Sequence, residues 1–219
     1  MALHLFAHPF SSYCWKVLIA LYENGTPFTF RMLASEGGEN HAEWERRWPL
    51  KKMPVLVEGD QTVVESDAIV EYLHRFHPGP VRLLPDDGHE AVEVRMLTGI
   101  LDDFVMTPVF ACVRESFRPA DARDPFGVAE ALETLDSIYP WLDARLAGRR
   151  WTAGDRFTLA DCTAGAFLFY ADWVRPIPER FETLRAHRAK LLARPSIARC
   201  VEEARPYRPL FPLGAPDRD

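Results

Sequence analysis

Residues 3–20 read LHLFAHPFSSYCWKVLIA, and the apolar period changes inside this stretch. Leu3 to Ala7 is an apolar run of strand length, broken by His8, Pro9 and Phe10. From Ser11 onward, Cys14, Val17, Leu18 and Leu21 stand at i, i+3, i+4 and i+7, one face of a helix. The pattern predicts a strand that enters a tight loop and a helix that leaves it. Ser11 and Ser12 sit at the junction, where a hydroxyl caps the first turn. Unpaired N–H groups at a helix start also attract an anion. A small polar side chain there is well placed to hold a thiolate, and as well placed to do nothing but cap.

Working outward, Asn24-Gly25-Thr26-Pro27 is a turn signal, and Phe28 to Leu33 reads as a second strand. Strand, helix and strand at this spacing predict a βαβ unit with parallel strands. Ser35 to Asn40 reads as a loop, and His41 to Trp48 as a short helix ended by Pro49. Val55-Leu56-Val57 and Thr62-Val63-Val64 flank Glu58-Gly59-Asp60-Gln61, the pattern of an antiparallel hairpin. Ser66 then opens a helix with Ile69, Tyr72, Leu73 and Phe76 on one face, and Asp67 complements its dipole. The order is βαβαββα. His77 to Gly88 carries three prolines and two glycines and reads as the connection, which divides the chain into 1–78, a linker 79–88, and 89–219.

The second part is predicted all-helical. Leu97, Leu101, Phe104, Val105, Pro108 and Cys112 give a long amphipathic helix with a bend expected at Pro108. Val128, Leu132, Leu135, Tyr139, Leu142 and Leu146 give a second, with a kink or break expected at Pro140. Thr158-Leu159-Ala160-Asp161 is a capping-box pattern opening a third helix through Tyr170. Shorter helices are expected near Arg180 to Ala193 and Ser196 to Ala204, and then an extended proline-rich tail.

A net charge of −6, from 26 basic and 32 acidic residues, argues against a general nucleic-acid binder. No apolar run nears the roughly 20 residues that span a bilayer, and no secretory signal is visible, so a cytoplasmic protein is expected. Cys112, Cys162 and Cys200 fall in apolar segments and read, in a reducing compartment, as core thiols. No paired-cysteine metal pattern occurs, and His74 and His77 lack a third ligand, so no metal is expected.

Ser11-Ser12-Tyr13-Cys14 has the spacing of a thioredoxin-like Cys-x-x-Cys with serine in the first place. Three further motifs follow in order: Pro49-Leu50-Lys51-Lys52-Met53-Pro54-Val55-Leu56, Glu65-Ser66-Asp67-Ala68-Ile69, and Gly154-Asp155-Arg156-Phe157-Thr158-Leu159-Ala160-Asp161. Together they resemble the cytosolic glutathione S-transferase family, and the serine-type members (theta, zeta and tau) look closest. The resemblance implies an N-terminal thioredoxin-like α/β domain that binds glutathione. An all-α C-terminal domain would supply most of the pocket for a second substrate.

The resemblance also implies site residues. The active-site serine falls on Ser11, with Ser12 beside it as the alternative. Pro54 would follow a cis bond, and Met53 would pair through its backbone with the cysteinyl part of glutathione, like an added strand. Glu65 and Ser66 would hold the γ-glutamyl end, and Lys52 the glycine carboxylate. Each has a plainer reading: Pro54 as a strand-start proline, Ser66 as an N-cap, Lys52 as a solvated lysine. His41 is a further candidate. Met106, Phe110 and Phe10 are candidate walls of an apolar pocket or members of the core. Trp15, Trp44 and Trp48 are expected in core or rim, and Thr158 with Asp161 is structural.

The implied reaction is attack of a glutathione thiolate on an apolar electrophile, of the detoxification type, with glutathione as co-substrate and a homodimer as the assembly. Glutathione-dependent isomerisation of the maleylacetoacetate type, thiol–disulfide exchange, and a non-catalytic glutathione-binding module are the alternatives.

Overall fold

The computed structural model describes residues 2–33 and 38–219. The expected loop from Ser35 therefore lies in part outside the described residues. Strand β1 (Leu3–Ala7) leads into helix α1 (Ser12–Asn24), closed by Gly25 at φ 58°, a left-handed cap that glycine adopts without cost. Strand β2 (Thr29–Met32), helix α2 (Glu39–Arg47), strands β3 (Val55–Glu58) and β4 (Gln61–Val64) and helix α3 (Ser66–Phe76) follow. The sheet order is β2-β1-β3-β4, with β1 parallel to β2 and antiparallel to β3. Its two faces follow from the two-residue period. Leu3, Leu5, Ala7 and Leu56 pack with α1 and α3, whereas Phe6, Val55 and Val57 pack with Trp44 of α2.

Helix α4 (Gly88–Leu101) passes through a π turn (Asp102–Met106) into helix α5 (Thr107–Glu115). The Thr107 N–H donates to the Asp102 carbonyl, five residues back. The irregularity therefore precedes the expected bend at Pro108. The proline ring crowds the carbonyl four residues before it, and the widened turn relieves that crowding. The combined helix Gly88–Glu115 is long and apolar enough, by length and composition, to cross a membrane. An apolar stretch of that length, interrupted by Asp102 and Asp103, is thus present where none is expected from the sequence. Here Leu97, Leu101, Val105, Met106 and Val109 are packed into the core.

Helix α6 (Pro125–Leu146) runs unbroken through Pro140. Pro140 and Asp136, whose carbonyl loses its partner, both lie on the exposed side, where water can replace the missing bond. Helix α7 (Leu159–Val174) is buried from Leu159 to Trp173 and forms the centre of the helical half. Its capping box is present: Thr158 N–H donates to the Asp161 carboxylate at 2.8 Å. Helices α8 (Glu182–Leu192) and α9 (Pro195–Ala204) complete the set.

Two further expectations are corrected. Phe76 and Phe104 stand 64% and 49% exposed, because the buried stripes run through Ile69, Val70 and Leu73 on α3 and through Leu101 and Val105 beside the π turn. The tail is not extended at first: Arg205–Leu210 forms a 3-10 helix, Phe211 is buried, and Arg218 turns back onto Asp172. The proline-rich connection is tied down, with Leu83 and Leu84 buried and Val81 exchanging two hydrogen bonds with the Asn24 side chain.

The two halves share one core across α1. Trp15 of α1 stacks on Phe169 of α7 at 4.9 Å, and Tyr170 donates to the Phe10 carbonyl at 2.9 Å. Arg194 grips Glu23 through two hydrogen bonds.

Candidate active site

The start of α1, the turn before β3, the start of α3, the π turn and the face of α5 converge on one cleft of about 650 Å³. Ser11 caps α1 with extended backbone (φ −94°, ψ 122°), and its Oγ accepts from the Cys14 N–H at 3.4 Å. That bond uses an oxygen lone pair; the hydroxyl also faces the Cys14 thiol, which it pulls down against burial, and its O–H can rotate to donate elsewhere. Ser11 lines the cleft, whereas Ser12 is 5% exposed and does not.

The Met53–Pro54 peptide bond is cis. Trp44 Nε1 donates to the Lys52 carbonyl at 2.8 Å and steadies this turn from α2. Lys51, Lys52, Met53 and Pro54 all line the cleft. Glu65 adopts φ 67°, ψ 121°, a region that non-glycine residues rarely occupy and that costs on the order of 1–3 kcal/mol. The strained residue precedes Ser66, the first residue of α3, where first-turn N–H groups lack intrahelical acceptors, as at any helix start. Ser11, Lys52, Met53, Glu65 and Ser66 thus border one space.

Further residues complete it, among them Phe110, a candidate wall, and Trp48, expected in core or rim. Tyr13, Trp48, Asp67, Asp102, Thr107, Phe110 and Arg114 also line the cleft. Behind them Lys16 is fully buried, its ammonium ion-paired to Asp67 and, at 3.0 Å, to Asp102. The ammonium also lies 5.0 Å from the centre of the Phe167 ring. Burial raises the Asp102 carboxyl to about 6 against the opposing pull of Lys16. Burial, with the nearby carboxylates, also raises the Tyr13 phenol, so it stays protonated and can donate at any working pH.

Some candidates are not in the cleft. Met106 is core, and Phe10 packs with Tyr170, Trp173 and Phe211. Of the three proposed apolar walls only Phe110 lines the space. His41 stacks on Trp44 at 5.6 Å, away from the lining. His77 sits 2.8 Å from the Glu58 carboxylate. Among the described residues no cluster of three or more His, Cys, Asp or Glu side chains could hold a metal ion. All four cysteines are buried and unpaired, and burial pushes the Cys14 thiol up to about 11.

Residues 1–75 match the family model for the glutathione S-transferase N-terminal domain, and residues 101–195 that for the C-terminal domain. A glutathione S-transferase from Methylobacterium radiotolerans, solved in complex with glutathione sulfonate, superposes with a TM-score of 0.79 at 30% identity. The match covers 92% of this chain and 95% of that one. The chain belongs to the glutathione S-transferase family. A second transferase, from Methylobacillus flagellatus with glutathione bound, gives a TM-score of 0.76 at 27% identity, covering 91% of this chain and 98% of that one. A probable maleylacetoacetate isomerase of Vibrio cholerae is 29% identical over 218 residues, covering 94% of this chain and 98% of its own.

In this glutathione S-transferase Phe110 lines the cleft as expected, and Thr107 and Arg114 join it, a pattern legible in the sequence because i, i+3 and i+7 share a helix face. Lys16 and Asp102 are not legible in this way, because they meet across 86 positions.

Proposed function

We propose that this transferase binds glutathione along the turn before β3 and the start of α3, and activates its thiol at Ser11. The observation that carries the reading is the convergence of Ser11, Met53 and Glu65–Ser66, from three separate elements, on one cleft with Lys52 at its edge. The Met53 backbone takes the cysteinyl part, Ser66 and the α3 N-terminus the γ-glutamyl carboxylate, Glu65 the ammonium, and Lys52 the glycine carboxylate.

An unperturbed thiol has a pKa near 8.5, so little is ionised at neutral pH. Lowering it by about two units takes roughly 2.7 kcal/mol. A hydrogen bond to a charged group contributes about 1.5–3 kcal/mol, and a helix N-terminus about 0.3–1 kcal/mol. Ser11 as donor, on the first turn of α1, therefore accounts for the shift without acting as a base. The burial of Ser12 favours Ser11 for this role. The thiolate then attacks the electrophile, transferring the glutathionyl group.

Glutathione-dependent isomerisation is a second reading, favoured by the full-length likeness to the Vibrio cholerae protein. It uses the same thiolate and differs in releasing glutathione unchanged. Disulfide exchange is disfavoured, because it needs an exposed, low-pKa thiol and Cys14 is neither. On this account the chain acts in the cytoplasm as a homodimer, without metal or nucleic acid, and residues 1–78 and 89–219 are its two domains. Steady-state turnover of glutathione with a simple aromatic halide tests the reading. Glutathione binding without turnover would leave a binding module in its place.

A further inference from the structure

One face of α5 lines the cleft, on an element separate from the turn before β3 and the start of α3 where the tripeptide is proposed to lie. Thr107, Phe110 and Arg114 make up that face. Tyr13 completes an apolar surface, its ring 5.7 Å from that of Phe110 at a tilt of 31° and backed by Phe167 at 5.2 Å. Arg114 stands one helical turn beyond Phe110 on the same face. It is exposed, and among the described residues its guanidinium has no carboxylate, carbonyl or ring partner. Its neighbour Arg118 is engaged by Glu115 at 3.4 Å and by the Ala122 carbonyl at 3.2 Å. Of the other cations in the lining, Lys51 is paired with Glu45 at 2.9 Å, and Lys52 belongs to the turn before β3. The cleft carboxylates Asp67 and Asp102 are drawn inward to Lys16. Arg114 is therefore a cation without a counter-charge on the wall where a second substrate would lie.

We infer that the second substrate is an electrophile with a flat conjugated body and a carboxylate, and that Arg114 receives the carboxylate. The inference rests on the transferase reading above. A guanidinium is a planar fork that donates two parallel hydrogen bonds to a carboxylate. The flat body would pack on Tyr13 and Phe110, which are spaced for offset or edge contacts. The Thr107 hydroxyl, one turn before Phe110, offers a donor to a polar substituent on that body.

The test compares 4-chloro-3,5-dinitrobenzoate with its neutral carboxamide. In each, the glutathione sulfur forms a bond to the chlorine-bearing carbon, the carbon–chlorine bond breaks, and chloride leaves with the bonding pair. The thiol proton goes to solvent. Each kcat/KM is divided by the uncatalysed rate with glutathione, which removes the difference in intrinsic reactivity. The normalised ratio of carboxylate to carboxamide should be about tenfold or more in the wild type. It should fall about tenfold in Arg114→Ala, be partly kept in Arg114→Lys, and drop below one in Arg114→Glu. Arg118→Ala should keep the wild-type ratio. Calorimetry of the two product conjugates reads the same preference wherever turnover is too slow to measure.

A wild-type ratio near one overturns the inference, as does a ratio unmoved by Arg114→Ala or abolished by Lys52→Ala instead. If the wild type binds glutathione and turns over the carboxamide while the ratio is near one, only the carboxylate preference fails. If it neither binds glutathione nor turns over the carboxamide, the transferase reading fails with it.

Discussion

Replacing Lys16 by methionine removes the one positive charge in a buried cluster and keeps the volume of its stem. The ammonium is fully buried, is paired with Asp67, and lies 3.0 Å from Asp102. At that separation and an effective dielectric of about 20, two unit charges attract by roughly 5 kcal/mol. Desolvation of the ammonium offsets much of this in the intact cluster. The variant removes that cost with the ammonium but keeps the desolvation of the carboxylates and loses the attraction, since Asp67 and Asp102 are left facing each other. Breaking a buried pair from one side costs about 3–5 kcal/mol. The Asp67 and Asp102 side chains keep 43% and 22% exposure, which moderates the loss to about 2–3 kcal/mol.

The sign of the pH dependence follows from Asp102. Burial, opposed by Lys16, raises its carboxyl to about 6. A carboxyl raised in the fold favours the fold most below its unfolded pKa, near 3.9. That contribution is lost as pH climbs through the folded value. Without Lys16 the folded value rises further, because Asp67 still repels. The deficit of Lys16→Met should therefore be full at pH 8 and smaller at pH 5, measured as urea midpoints by tryptophan fluorescence. Adding Asp102→Asn to that variant should restore about 1 kcal/mol or more at pH 8. A deficit equal at both pH values, or below about 0.5 kcal/mol throughout, refutes the account of the cluster.

Other consequences are open to direct measurement. Lys52→Ala and Ser66→Ala should each weaken glutathione binding by about 1–3 kcal/mol in calorimetry while thermal unfolding stays in place; unchanged affinity in both would misplace the tripeptide. Cys14, with its thiol pushed up to about 11 by burial, should resist alkylation by iodoacetamide in the native protein at pH 7.5, and Cys14→Ala should keep transferase turnover. Rapid alkylation of Cys14 would reopen the exchange reading. Sedimentation at micromolar concentration should give twice the 25.0 kDa chain mass, and a lone 25.0 kDa species would contradict the dimer.

Local patterns in the sequence carried much of this architecture. The change of period after Ala7 and the serines that follow located the turn from β1 into α1, because capping and amphipathic spacing act within a few residues. The hairpin of β3 and β4 was legible for the same reason, with its turn residues between two β-branched runs. The π turn was not, since Pro108 announces an irregularity without saying how the preceding turn absorbs it. Phe76 and Phe104 satisfied a helical stripe yet face outward, because a stripe of apolar residues can be wider than the surface it packs on. Lys16 shows the firmest limit. On α1 it reads as an ordinary helix lysine, and its burial is imposed by Asp67 of α3, Asp102 of the π turn and Phe167 of α7.

The central claim is that the Ser11 hydroxyl holds the glutathione sulfur as a thiolate, and a thiolate absorbance titration of the enzyme–glutathione complex tests it most directly. In the wild type the bound thiol should titrate about two units below the free thiol. Ser11→Ala should move that titration back toward the free value, with glutathione affinity changed much less, because the remaining contacts lie along the tripeptide backbone and its two carboxylates. Turnover should fall at neutral pH and recover as the solution becomes alkaline and the thiol ionises unaided. Ser12→Ala should leave the titration where it is. If Ser11→Ala leaves it unmoved while Ser12→Ala or Tyr13→Phe shifts it, the role assigned to Ser11 is contradicted and belongs to the residue that moved it.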